Sequence, residues 1–186
     1  MNLRSFSLLA VFCLALTLLG CGGGGGGSNP TAAYTPVFDT KLDADYPTVA
    51  ASYRSMQTSL LEDNTKTEAE RVDSFMPIIS ANFVNSSNVA ARDALRTATL
   101  DRLTRYKINT YTFVPTSHTL KDNGDIEVTT YMAIDVTRKP GQTGGYSQAS
   151  TELVPGVNAP KITWRNESGT WRIIKGLPYL SSEISF

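Results

Sequence analysis

Ile126-Glu127-Val128-Thr129-Thr130-Tyr131-Met132-Ala133-Ile134-Asp135-Val136 sets Ile, Val, Thr, Met, Ile and Val against Glu, Thr, Tyr, Ala and Asp in strict alternation. Successive side chains of an extended chain point to opposite faces, so the pattern reads as one long strand with one face well buried. Asp122-Asn123-Gly124 just before it is a hairpin-turn signal. Upstream of that turn, Ile108 to Val114 is rich in β-branched and aromatic residues, and a second short run ends at Leu120. Downstream, Pro140 to Gly145 is a turn, about Tyr146 to Leu153 a strand, and Pro155 to Pro160 a loop. Ile162-Thr163-Trp164 and Trp171-Arg172-Ile173-Ile174 are strands joined by a turn over Asn166-Glu167-Ser168-Gly169.

Before Tyr106 the period is helical. Tyr34 to Asp43 reads as an extended lead-in. A first helix starts near Asp45-Tyr46-Pro47, where a capping carboxylate and an early proline suit a helix start, and Val49, Tyr53, Met56 and Leu60 share one face. Thr67-Glu68-Ala69-Glu70 has capping-box spacing and opens a second helix, with Val72, Phe75, Met76 and Ile79 as its stripe. Pro77 should kink or end it. A third helix runs from about Asn88 to Tyr106, with Ala91, Leu95, Ala98, Arg102, Leu103 and Tyr106 along one side. Helices first and antiparallel strands afterwards give an α+β fold, three helices packed on one face of a curved sheet. There is no internal repeat.

The N-terminus carries a different signal. Arg4 precedes an apolar run from Phe6 to Leu19, too short to span a bilayer comfortably, and Leu18-Leu19-Gly20-Cys21 is followed by six glycines. This segment resembles a bacterial lipoprotein signal with its lipobox. The resemblance implies cleavage between Gly20 and Cys21 and thioether diacylation of Cys21, with N-acylation (palmitate being the usual chain) of the new terminus. Gly22, rather than aspartate, follows Cys21, which by the same resemblance favours the outer membrane. The expected organisation is a signal peptide over 1–20, the lipidated cysteine and a flexible tether over 21–33, and a single α+β domain over 34–186. Random-coil scaling gives the tether a span on the order of 20 Å. Two or more acyl chains satisfy the requirement for stable anchoring.

Composition removes several classes of function. Loss of residues 1–20 from the 186 leaves 166, ample for one core. Cys13 leaves with the signal and Cys21 would carry lipid, so the folded part has no thiol for a disulfide, a nucleophile or a metal. Without Arg4, 16 basic side chains face 17 acidic ones, and no basic field is available for nucleic acid. Gly22 to Gly27 precede neither a strand nor a Gly-Lys-Ser/Thr, which makes them a spacer rather than a phosphate cradle. No Gly-x-Ser-x-Gly elbow occurs. Asp122 to Asp125 lacks the remaining ligands of a calcium loop. His118, the single histidine, has no Asp/Glu cluster at ligand spacing beside it. Neither a metal nor a cofactor is expected.

The last hairpin, Ile162-Thr163-Trp164, an Asn/Gly turn and Gly169-Thr170-Trp171-Arg172-Ile173-Ile174, together with Ser74 to Val84 as a helix running into a short strand, resembles the nuclear transport factor 2-like (SnoaL-like, cystatin-like) superfamily. The resemblance covers about Tyr46 to Lys175. It implies a cone whose helices and concave sheet enclose an apolar pocket, in a superfamily of isomerases, dehydratases, cyclases, ligand carriers and interaction modules. Enzymatic members often carry a catalytic aspartate or histidine in or beside the strand after the second helix. The matching stretch here is Ala81-Asn82-Phe83-Val84-Asn85-Ser86, with neither. Tyr53 lies where isomerases of the superfamily can place an oxyanion donor, yet it also belongs to the apolar stripe of its helix. Asp135 alternates onto the outer, wetter face.

The candidate pocket or interface residues are Tyr53, Met56, Phe75, Phe83, Tyr111, Tyr131, Trp164 and Trp171, with Phe113 beside them. The expectation is a lipid-anchored, non-enzymatic module that binds a small apolar ligand or a partner protein. The alternative is an isomerase, dehydratase or cyclase acting by proton transfer in the cone, which needs a titratable group with a perturbed pKa at the pocket floor and gains support if Asp135, His118 or Glu152 points inward beside Tyr53. A third reading is a structural homodimer formed through the open sheet face, with Tyr131 and Trp164 as surface candidates.

Overall fold

The computed structural model describes residues 34–61, 63 and 65–179, and the expected signal peptide, Cys21 and tether lie outside them. Helices pack on one face of a curved, unclosed sheet, the α+β layering expected from the sequence. The helices are α1 (Thr40–Asp45), α2 (Pro47–Ser59), α3 (Glu68–Phe75) and α4 (Arg92–Arg105). The strands are β1 (Ile79–Val84), β2 (Tyr106–Leu120), β3 (Ile126–Arg138), β4 (Gln148–Leu153), β5 (Lys161–Glu167) and β6 (Thr170–Lys175). The sheet order is β1-β6-β5-β3-β2, and β3 is forked on one edge: β5 pairs with Ile126–Thr129 and β4 with Met132–Thr137. All pairings are antiparallel except β1 with β6.

Local chemistry accounts for most boundaries. The α3 capping box is formed on both sides: Thr67 Oγ1 accepts from the Glu70 N–H at 3.2 Å, and Glu70 Oε2 accepts from the Thr67 N–H at 2.7 Å. Pro77 ends α3 in a 3₁₀ turn over Met76–Ile78. Ser168 and Gly169 both take positive φ, as a two-residue hairpin turn between right-twisted strands requires.

Four boundaries differ from the expectation. The lead-in is not wholly extended, because Asp39 accepts from the Lys41 and Leu42 N–H groups at 3.0 and 3.3 Å and nucleates α1. The third helix begins at Arg92 rather than near Asn88. Asn85 Oδ1 accepts from Ser87 and Val89 N–H, Asn88 sits at φ 60°, and Ala90 bridges back to Val84, so the chain is occupied with a tight turn there. The two runs before Leu120 are one strand of 15 residues, bent by irregularities between Ile108 and Thr110 and between Pro115 and Ser117 that help curve the sheet. The strand expected from Tyr146 starts at Gln148.

The core lies between the helices and the inner sheet face. Met132, Ile134 and Val136 of β3, Ile162 and Trp164 of β5 and Ile173 of β6 meet Val49, Tyr53 and Met56 of α2 and Leu95 and Leu103 of α4. Beyond β6, a Cβ on Gly176 (φ +87°) would stand 1.9 Å from the Lys161 carbonyl oxygen. Glycine is therefore required where the chain turns back over β5 and delivers Leu177 and Tyr179 into the core.

Candidate functional site

Tyr53 sits at the centre of the packed end of the cone and is fully enclosed. Its hydroxyl is 2.8 Å from Thr130 Oγ1 and accepts from Trp164 Nε1 at 3.3 Å. Its ring stacks on Phe113 and leans on Trp164, with centroids 5.1 and 5.5 Å apart. Burial pushes the phenol's pKa far above its ordinary value, against which the bonds to Thr130 and Trp164 act only partly. With both sides of the oxygen engaged, this is a hydrogen-bonded core tyrosine.

Open space lies at the other end of the inner face. An apolar cavity is walled by Phe75 of α3, by Leu95, Thr99, Arg102 and Leu103 of α4, by Tyr106, Ile108 and Tyr111 of β2, and by Met132 and Ile134 of β3. Leu60 and the Leu177-Pro178 segment complete it. Its volume is about 50 Å³, several times the roughly 10–15 Å³ that one water needs, and about 560 Å³ once the mouth open to solvent is included. The wall is carbon except for the Thr99 hydroxyl, the Arg102 guanidinium and the phenols of Tyr106 and Tyr111. Thr99 Oγ1 is turned back onto the Leu95 carbonyl at 2.8 Å. Burial, with the neighbouring Tyr53, drives the Tyr111 phenol well above its normal range, so it stays neutral.

His118 lies away from that cavity. Its Nδ1 is 2.6 Å from Asp39 Oδ2, its Nε2 is 3.8 Å from Asp45 Oδ2, and its ring meets Tyr46 edge to face. Burial alone would raise Asp39, but bonds from His118 and from the Leu42 and Lys41 N–H groups together outweigh it and hold the carboxyl below its usual range. Asp39 thus caps α1 and ties it to β2.

On the outer sheet face, Tyr131 donates to Glu152 Oε1 at 2.7 Å and is covered by Tyr34, 5.3 Å away and stacked. Burial and the bond to Glu152 push its phenol up to about 12. Asp135 is also on this face, in register with Thr110 and Ser150 and opposite in direction to Ile134 and Val136.

Of the residues singled out from the sequence, Phe75 and Tyr111 line the cavity. Tyr53, Met56, Phe83, Phe113 and Trp164 are core. Trp164 faces inward and is fully buried, so it has no surface to offer a partner, because its register with Ile126 places it on the inner face. Trp171 is half-buried beside Tyr46 at the rim of α2. Asp135, His118 and Glu152 do not converge on Tyr53. Sequence reasoning missed Asp39 and the Leu177-Pro178 wall; an aspartate two residues before Lys41-Leu42 and a glycine directly after a strand were the available signals. Among the described residues no group of three or more His, Cys, Asp or Glu side chains is placed to hold a metal, and no helix is long and apolar enough to cross a membrane.

No protein-family model and no curated protein matches the chain. Two solved structures similar to it are ActVI-ORFA from Streptomyces coelicolor (12% identity, TM-score 0.47, covering 71% of this chain and 93% of that one) and a putative calcium/calmodulin dependent protein kinase II association domain from Xanthomonas campestris (18% identity, TM-score 0.42, covering 71% and 87%). Neither likeness bears on function, and the architecture stands on the strand pairing described above.

Proposed function

We propose that the chain is a lipid-anchored cell-envelope protein, held through Cys21, whose domain binds a slender apolar ligand such as an alkyl chain. The observation that carries the ligand reading is the open-mouthed carbon wall between α3, α4 and the inner sheet face, narrowing to about 50 Å³. Such a space excludes fused rings and admits a chain end. Of the groups that could serve a proton-transfer enzyme, Glu152 is bonded to Tyr131, His118 is held by Asp39, and Asp135 alternates onto the outer face. Anchoring rests on Leu18-Leu19-Gly20-Cys21 and places the domain on a membrane by its acyl chains.

The test uses the full chain purified from a bacterial host in a detergent without alkyl carboxylates. A polyene fatty acid whose fluorescence rises on leaving water should bind saturably. Thr99→Phe, which fills the cavity from α4, should weaken binding roughly tenfold or more. Saturable binding that is unchanged in Thr99→Phe, or no saturable binding, would refute the ligand reading. Mass spectrometry and membrane fractionation of Cys21→Ser decide the anchor separately, with loss of the acyl mass and release from the membrane expected.

A further inference from the structure

A groove of about 430 Å³ lies beside Trp171. It is lined by Thr48 and Ser52 of α2, by Pro77 of the 3₁₀ turn, and by Thr170, Trp171 and Arg172 of the β5–β6 hairpin. We propose that this groove binds a neutral saccharide, with Trp171 as the stacking platform.

The aromatic wall is fixed before any ligand arrives. Trp171 points to the same side of the sheet as Ile173, but lies where α2 only begins to cover that face, so its indole stays half-buried. Tyr46 meets it at 5.5 Å and 79°, and meets His118 at 5.6 Å and 85°; His118 is in turn held by Asp39 at 2.6 Å. Three side chains in series, Tyr46, His118 and Asp39, thus hold the indole in place, which lowers the ordering cost of binding. A pyranose presents an apolar C–H face to such a ring and a rim of hydroxyls around it.

The polar groups suit that rim. Ser52 Oγ donates to the Thr48 carbonyl at 2.9 Å, which leaves its oxygen as an acceptor, and the hydroxyls of Thr48 and Thr170 make no hydrogen bond among the described residues. They are free to donate and accept. The one charged lining group is already neutralised: Arg172 Nη1 donates to the Pro77 carbonyl, and its Nε is 3.5 Å from Glu167 Oε2. An anion would have to compete with that carboxylate, whereas a neutral polyol does not.

Saturation-transfer NMR on the full chain, in a non-glycosidic detergent, with chitotetraose, maltotetraose and cellotetraose as probes, tests the assignment. At least one should receive saturation at millimolar concentration. Its affinity should fall roughly tenfold or more in Trp171→Ala and in Ser52→Arg, which blocks the groove from α2, and stay within about threefold in Trp171→Phe. Emission from the sealed Trp164 reports whether Trp171→Ala is folded; if it is not, Ser52→Arg alone decides. No transfer to any of the three, or transfer indifferent to these substitutions, overturns the proposal.

Discussion

Tyr53→Phe removes one oxygen from the packed end of the cone and leaves the ring stack on Phe113 and Trp164 in place. Two hydrogen bonds go with it, to Thr130 at 2.8 Å and from Trp164 Nε1 at 3.3 Å. Thr130 keeps a long bond to the Val128 carbonyl at 3.4 Å, so its hydroxyl is partly rescued. Trp164 is fully buried and its N–H has no other partner among the described residues, so it bears the full desolvation penalty. A net hydrogen bond is worth about 1 kcal/mol and an orphaned buried donor costs about 1–3 kcal/mol, which puts the loss at roughly 2–4 kcal/mol. For a domain of this size that is a drop in Tm of roughly 5–15 °C. Urea unfolding followed by far-ultraviolet circular dichroism and by tryptophan emission gives the value, with an unchanged m expected because the fold is the same. Adding Thr130→Val should cost less than the two single losses combined, by about 1 kcal/mol. Tyr53→Phe within about 0.5 kcal/mol of the parent would refute this account and return Tyr53 to the list of groups kept for chemistry.

Asp125 and Arg165 form a two-bond pair at 2.8 and 2.6 Å, but the carboxylate is 6% exposed and the guanidinium 49%. Arg165→Ala strands a buried charge and should cost on the order of 2 kcal/mol in urea unfolding, whereas Asp125→Asn leaves only a solvated arginine and should cost under about 1 kcal/mol. Arg165 holds the Asp125 carboxyl below its ordinary 3.8, so the pair's contribution is complete above that value and lost as pH falls below it; the gap between parent and Arg165→Ala should shrink below about pH 4. Gly176→Ala forces a Cβ to within 1.9 Å of the Lys161 carbonyl oxygen at positive φ, and should cost roughly 2 kcal/mol or more while loosening the Leu177-Pro178 side of the cavity, read as faster amide exchange at Ile162 and Leu177.

What was legible in the sequence is what repeats locally. The alternation of Ile126 to Val136 gave β3 and its buried face, the Thr67–Glu70 spacing gave the start of α3, and Pro77 its end, because each is decided by neighbours within a few residues. The bent β2 was less legible: Asn109 and Thr116 interrupt an alternation that a continuous strand can still absorb as bulges. Asx chemistry was the other blind spot. Asp39 and Asn85 each redirect the backbone through their own side chain, one adding α1 and the other delaying α4.

The candidate sites depend on a different kind of information. Asp39 meets His118 across 79 positions, Tyr53 meets Thr130 across 77, and the cavity draws its walls from α3, α4, β2, β3 and the segment after β6. Periodicity says which side of an element is apolar but not whether two apolar sides meet flush or leave a gap. Tyr53 and Tyr111 show the difference, since both are aromatic, inward and buried, yet one seals the packed end while the other borders open space. The distinction comes from the residues opposite. Trp164 and Phe113 pack their rings directly on Tyr53, whereas Tyr111 and Met132 share a cavity wall with Thr99 and Leu103. A binding space in this fold is therefore a mismatch of side-chain volume between layers, a quantity no single stretch of the chain contains.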